Sequence, residues 1–159
     1  GSCQEYTILV SLCYSGRVHK SFYASGFFYH SPSQQILLQQ LSGGGDATLV
    51  LFCGKSHNGQ DPISVFQRCV EKALGMTIAA TSIHSVYEYI HHSLGEQFVF
   101  FIERSDISPT TYPSNTNAGW FSLAKLSKLT MSEQTRHDII IGERVIRALE
   151  EPAHTIPRT

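Results

Sequence analysis

Charge is scarce in this sequence. Only 16% of its 159 residues are charged, and 12 Lys and Arg stand against 13 Asp and Glu, for a net charge of −1 at neutral pH. Without a global basic field there is no strong DNA signal, although a local patch stays open. No apolar run reaches the length of a membrane span, and no charged-then-apolar segment opens the chain, so no membrane partner is expected. Cys3, Cys13, Cys53 and Cys69 form no CxxC pair and no zinc-ligand spacing. The last three lie in apolar patterns and read as reduced, buried thiols, from which an intracellular, cytoplasmic location is expected. There is no internal repeat. A hydrophobic content of 42% suffices for a single domain with a core, placed over residues 3–152. Gly1 and Ser2 read as a remnant of tag cleavage and residues 153–159 as a frayed tail, and the chain is open to being a fragment of a larger protein.

What the chain does carry is concentrated in residues 54–76, GKSHNGQDPISVFQRCVEKALGM. An apolar run over 47–53 reads as a buried strand entering a Gly/Ser/Asn-rich turn. Asp61 before Pro62 is an N-cap followed by proline at the first helical position. Ile63, Phe66, Val70 and Leu74 then recur at spacings of three and four, giving one apolar stripe on a helix of about four turns. Gly75 is placed to stop it.

The same stretch resembles the Nudix box, G-x5-E-x7-R-E-U-x-E-E-x-G-U, with U an aliphatic residue. Gly54, Arg68, Val70, Gly75 and Met76 take framework positions at matching spacing, and Lys55, Gly59 and Pro62 sit where many members have the same residues. The acidic positions have changed. Gln60 stands for the first glutamate, Cys69 for the second, and Lys72 and Ala73 for the final pair. Hydrolysis of a diphosphate linkage usually needs Mg²⁺ held by carboxylates. Positions 69, 72 and 73 fall within an arc of about 100° on a helix, one face aimed at a single ion. Cys69 is a poor ligand for a hard cation, Ala73 has no ligand atom, and Lys72 brings a positive charge. At about 4 Å and an effective dielectric of about 20, its repulsion of a divalent ion is about 8 kcal/mol gross. Glu71 points roughly 160° away from that face.

The remainder agrees with the resemblance. Residues 6–14 and 18–30 read as strands, with 36–40 a short strand after a turn, and SGFFYHSPSQQILLQQ is similar to the opening hairpin of Nudix domains. Gly43–Gly45 read as a plain connection, not a phosphate loop, since no helix follows at once. Residues 82–92 and 97–103 read as two further strands. His84 and His92 on the first would lie about 26 Å apart if extended, too far to share a metal. Residues 104–117 form a long polar loop, in which Tyr112 is either a specificity residue or exposed without a role. GWFSLAKL resembles the family's strand-into-helix element, with Trp120 read as core against base stacking as the alternative. A last helix is capped over 130–132 and carries Ile139, Ile140, Val145, Ile146 and Leu149 on its apolar side, with Arg136, His137 and Asp138 read as a solvated face.

The resemblance implies an α/β fold, the Nudix α/β/α sandwich, with a mixed sheet between the box helix and the C-terminal helix. Two functional readings follow. One is a catalytically impaired Nudix-fold domain that binds a nucleotide or RNA ligand, or a protein partner, with no cofactor and no assigned catalytic residue. In it Lys55, Arg68 and Lys72 meet phosphate, with Tyr112 as a further contact. A helix-to-loop hydrogen bond for Arg68 and a solvated side chain for Lys72 are the plain alternatives. The other reading is a divergent hydrolase of nucleoside diphosphate-linked substrates, with Mg²⁺ or Mn²⁺ served by carboxylates outside the box such as Glu88 or Glu96.

Overall fold

The computed structural model describes residues 21–41, 47–57, 59–115 and 117–151. The strand expected over 6–14, the Gly43–Gly45 loop and the tail over 153–159 lie outside these residues. The central strand β1, Phe22–His30, is buried along nearly its whole length. Its alternate side chains serve two cores: Phe22, Ala24 and Phe28 on one face, Phe27 and Tyr29 on the other. A strand covered on both faces carries apolar residues throughout, which is why FYASGFFYH shows little polar alternation. β2, Gln35–Leu41, returns antiparallel through a turn in which Gln34 has φ 56.

The single strand expected over 47–53 is two. β3, Thr48–Val50, pairs with β2, whereas β4, Phe52–Lys55, pairs with β1. The β1–β2 pairing stops at Phe28↔Leu37, and β4 occupies the earlier part of β1, from Tyr23 to Gly26. The chain changes neighbours at the buried Leu51. Of the remaining strands, β5 is Ile83–His91, β6 is Gly95–Ile102 and β7 is Ala118–Ser122. β6 runs parallel to β1, β5 pairs antiparallel with β6 at one edge, and β7 pairs with β2. The sheet is therefore mixed.

Helix α1, Pro62–Leu74, covers one face. The Asp61 carboxylate accepts from the Ser64 backbone N–H, and Gly75 closes the helix at φ 71, a left-handed conformation that costs glycine nothing. Val65, Phe66 and Val70 are buried beneath it, while Ile63 and Leu74 pack only partly. Phe66 stacks on Phe100 at 5.6 Å between ring centroids. That approach needs Gly26, because a Cβ there would strike the Phe100 carbonyl and the Phe66 ring.

Helix α2, Glu133–Glu150, covers the other face, capped by Ser132. Ile139, Gly142 and Ile146 are buried, but Leu149 is 64% exposed, since the last turn runs past the buried stripe. The residues read as a solvated face are mostly not solvated. The Arg136 guanidinium donates to the carbonyls of Leu126 (2.6 Å) and Leu129 (3.2 Å), satisfying the end of the 3-10 segment Leu123–Lys128. Asp138 is buried, and only His137 of the three is exposed. Trp120 is core, with its indole N–H donating to the Tyr112 carbonyl at 2.7 Å. Cys53, expected as a reduced thiol, is disulfide-bonded, and Cys69 is the free cysteine among the described residues. No helix among them is long and apolar enough to cross a membrane.

Candidate functional site

The strand-to-helix turn and the exposed side of α1 enclose an open cleft of about 480 Å³. Lys55, Gln60, Arg68, Cys69, Lys72 and Ala73 all line it, so the fold gathers the altered box positions and the candidate cations in one place. His57 adds an imidazole. Arg68 and Lys72 are exposed, four residues apart, and therefore on one side of α1. Neither makes a hydrogen bond or ion pair with a described residue, so the helix-to-loop bond considered for Arg68 is absent among the described residues, whose ion pairs are Arg104–Asp106 and Arg147–Glu143. Lys72 lies in the last turn, where a cation also suits the helix dipole. Among the described residues, no Asp or Glu lines the cleft.

A divalent cation is what this fold family implies here, and the donor set does not fit one. The Gln60 side-chain oxygen accepts from the His57 backbone N–H at 2.6 Å and holds the turn. Burial pushes the Cys69 thiol up to about 12, with Lys72 pulling weakly the other way, so it is a neutral thiol at physiological pH. A thiol that keeps its proton is also a poor nucleophile. Lys72 repels a cation, and Ala73 offers nothing. Among the described residues, no group of three His, Cys, Asp or Glu is placed to hold a metal.

The other sequence candidates lie elsewhere. Glu88 is exposed on the edge strand β5, in register with Phe98, and Glu96 is the second residue of β6, opposite Ile90. Tyr112 is half-buried and packs against the α1-side core. None of these three lines the cleft.

A second cavity, of about 590 Å³, opens toward the start of α2 and meets the first at Gln39 and Cys53, which line both. Its lining includes Ser25, Gln97 and Asp138, all buried. Asp138 Oδ1 accepts from the Tyr87 hydroxyl at 2.7 Å and from Gln134 Nε2 at 2.9 Å. Burial raises the carboxyl above the usual range, and those two donors hold it down in part. The same burial raises the Tyr87 and Tyr89 phenols, so both keep their protons. Sequence reading missed this cluster. The available signal was Gln134 one helical turn before Asp138, an amide and a carboxylate on the same side as the apolar Ile139–Ile146 stripe.

No protein-family model and no curated protein sequence matches the chain. Solved structures do. The C-terminal domain of mouse MUTYH, in its complex with human PCNA, superposes with a TM-score of 0.61 at 14% identity, covering 84% of this chain and 94% of that one. A mutT/nudix family protein of Listeria innocua gives 0.59 at 11% identity over 84% and 97% of the two chains. A MutT described from Aliivibrio salmonicida and Vibrio cholerae gives 0.57 at 15% identity over 80% and 98%. The chain has the Nudix fold: a mixed sheet between the box helix and the C-terminal helix. At these identities the likeness is one of fold.

Proposed function

We propose that this Nudix-fold domain binds a phosphate-bearing, nucleotide-type ligand without a metal and without cleaving it. The supporting observation is a cleft in which Arg68 and Lys72 stand together with no carboxylate among its described lining residues. Phosphate is recognised well by a guanidinium, which presents paired N–H donors, and by an ammonium acting as a point charge. Here the ammonium of Lys72 takes over the neutralising role of a cation. Lys55 borders the same space and adds positive potential.

Calorimetric titration with pyrophosphate and with ADP, in EDTA, tests this reading. Binding is expected without metal and without turnover. Lys72→Glu is expected to weaken it at least tenfold, since charge-assisted hydrogen bonds contribute about 1.5–3 kcal/mol each. Turnover that requires Mg²⁺ or Mn²⁺ and disappears in Glu88→Gln or Glu96→Gln would overturn it in favour of the hydrolase. A protein-binding role is the second reading, favoured by the likeness to the MUTYH domain that was solved bound to PCNA. It predicts a partner complex that Lys72→Glu leaves intact.

A further inference from the structure

The two described cysteines line the same cleft in different states. Cys53 is disulfide-bonded and Cys69 is free. The sequence holds four cysteines, so the bond of Cys53 goes to Cys3 or Cys13, both ahead of β1 and outside the described residues. Reach forbids neither. Cys53 stands in register with Ser25, about 10 Å along β1 from Phe22, and the chain from Cys13 to Phe22 spans up to about 30 Å. The setting is that of an exchangeable bond. Structural disulfides resist reduction by small thiols, whereas exposed ones are labile. Cys53 is half-buried on a strand that borders an open cleft of about 480 Å³, which admits a small thiol. Lys55, Arg68 and Lys72 line the cleft with no described carboxylate, a field that draws anions in. Burial keeps the Cys69 thiol protonated, so attack on the bond falls to thiols from solution.

We infer that Cys53 is a reversible thiol–disulfide exchange site, served by small anionic thiols and disulfides of the glutathione class that its cationic cleft attracts. The inference goes beyond the proposed function: it uses the same cleft but needs no phosphate bound there. Reduction runs in two exchanges. A glutathione thiolate attacks one sulfur of the bond, which releases the other as a protein thiolate and leaves a mixed disulfide. A second glutathione thiolate attacks the glutathione sulfur of that mixed disulfide, releasing the second protein thiolate and oxidised glutathione. The two protein thiolates take up the protons that the glutathione thiols gave up. One protein disulfide is reduced and two glutathione thiols are oxidised. Oxidation is the same sequence reversed. The bond ties β4 to the chain ahead of β1, so the thiol–disulfide balance of the surroundings sets how those first residues are held.

The test begins with the full chain, treated with oxidised glutathione, digested without reductant and mapped by mass spectrometry. A peptide containing Cys53 is expected to be joined to one containing Cys3 or Cys13, and Cys3→Ser and Cys13→Ser tell the two apart. Cys53 found as a thiol would overturn the inference. Excess glutathione is then expected to open the bond in the folded protein, and oxidised glutathione to restore it. A bond that yields only after the chain is unfolded would be structural, and would overturn the inference as well. The last step compares rates of bond formation with oxidised glutathione and with cystamine, a cationic disulfide, each relative to the same reagent on the chain unfolded in urea. The folded protein is expected to favour oxidised glutathione by about tenfold, and added salt or Lys72→Glu to narrow that preference. Equal relative rates in the unmodified protein would overturn the part given to the cleft, whether or not the variant folds. Every readout is the state of a sulfur, so failure of pyrophosphate and ADP to bind would end the proposed function and leave this site standing.

Discussion

The two faces of the sheet solve different problems. Over α1, the apolar side chains Phe66 and Val70 go inward and the charges Arg68 and Lys72 stay in water, so the cleft is open and cationic. Under α2, a carboxylate has been taken inside and is held by an amide from its own helix and a phenol from β5. The first arrangement follows from local periodicity. The second depends on a contact between residues 51 positions apart. The difference teaches that one side of this molecule keeps its charge at the surface, where local periodicity puts it, and the other takes polarity into its interior, where distant partners must satisfy it.

The largest expected effect falls on the α1 face. Phe66 is fully buried and lies between Phe100 and the bare backbone of Gly26. Phe66→Ala is expected to cost about 3–5 kcal/mol, the transfer term plus the cavity left behind. Denaturant unfolding measures it. A loss under about 1 kcal/mol would show that the ring's apparent packing contributes little, and that α1 is not seated on the sheet as the contacts suggest.

Much of this first face was legible in sequence. Asp61-Pro62, the stripe through Phe66 and Val70, and Gly75 gave both ends of α1 and its buried side, because each is a short-range preference of the chain. The box spacing likewise brought Lys55, Gln60, Arg68, Cys69, Lys72 and Ala73 to one cleft. The failures share a cause. The break at Leu51 reflects the opening of the β1–β2 hairpin, and Arg136 was read as solvated because the carbonyls it serves come from the preceding 3-10 segment. Asp138 was misread since nothing near it in sequence announces Tyr87. Tyr112 reads as an exposed loop residue until Trp120 is seen donating to its carbonyl. Long-range partners decide these cases, and a single sequence does not show them.

A smaller effect is expected at the α1 cap. Asp61 accepts from the Ser64 backbone N–H at 3.1 Å and from the Ser64 hydroxyl at 2.7 Å. Asp61→Ala is expected to lose about 1 kcal/mol. Asp61→Ser, which keeps a capping oxygen, is expected to recover most of it. Equal losses in both variants would place the contribution in the charge and not in the cap.

The same two aspartates give the finest comparison, through the sign of their pH dependence. The hydrogen bonds from Ser64 hold the Asp61 carboxyl below its usual range. Its contribution is therefore present above the ordinary carboxylate value, near 3.9 in an unfolded chain, and is lost as pH falls through the lower folded value. Burial moves Asp138 the other way, against the pull of Tyr87, Gln134 and His137. Between the ordinary value and the raised folded one, the unfolded chain has released a proton that the folded protein still holds. Stability from this group is thus greatest in acid and declines as pH rises through that window, levelling off above it. Unfolding free energies measured across the acid range should separate the two. Asp61→Asn is expected to fall below the parent at neutral pH and converge with it in acid. Asp138→Asn is expected to lack the parent's decline with rising pH, so that its curve gains on the parent's toward neutrality. Parallel curves for the two variants would mean that the α2 face does not hold a desolvated carboxylate, and the contrast between the faces would reduce to a difference in shape.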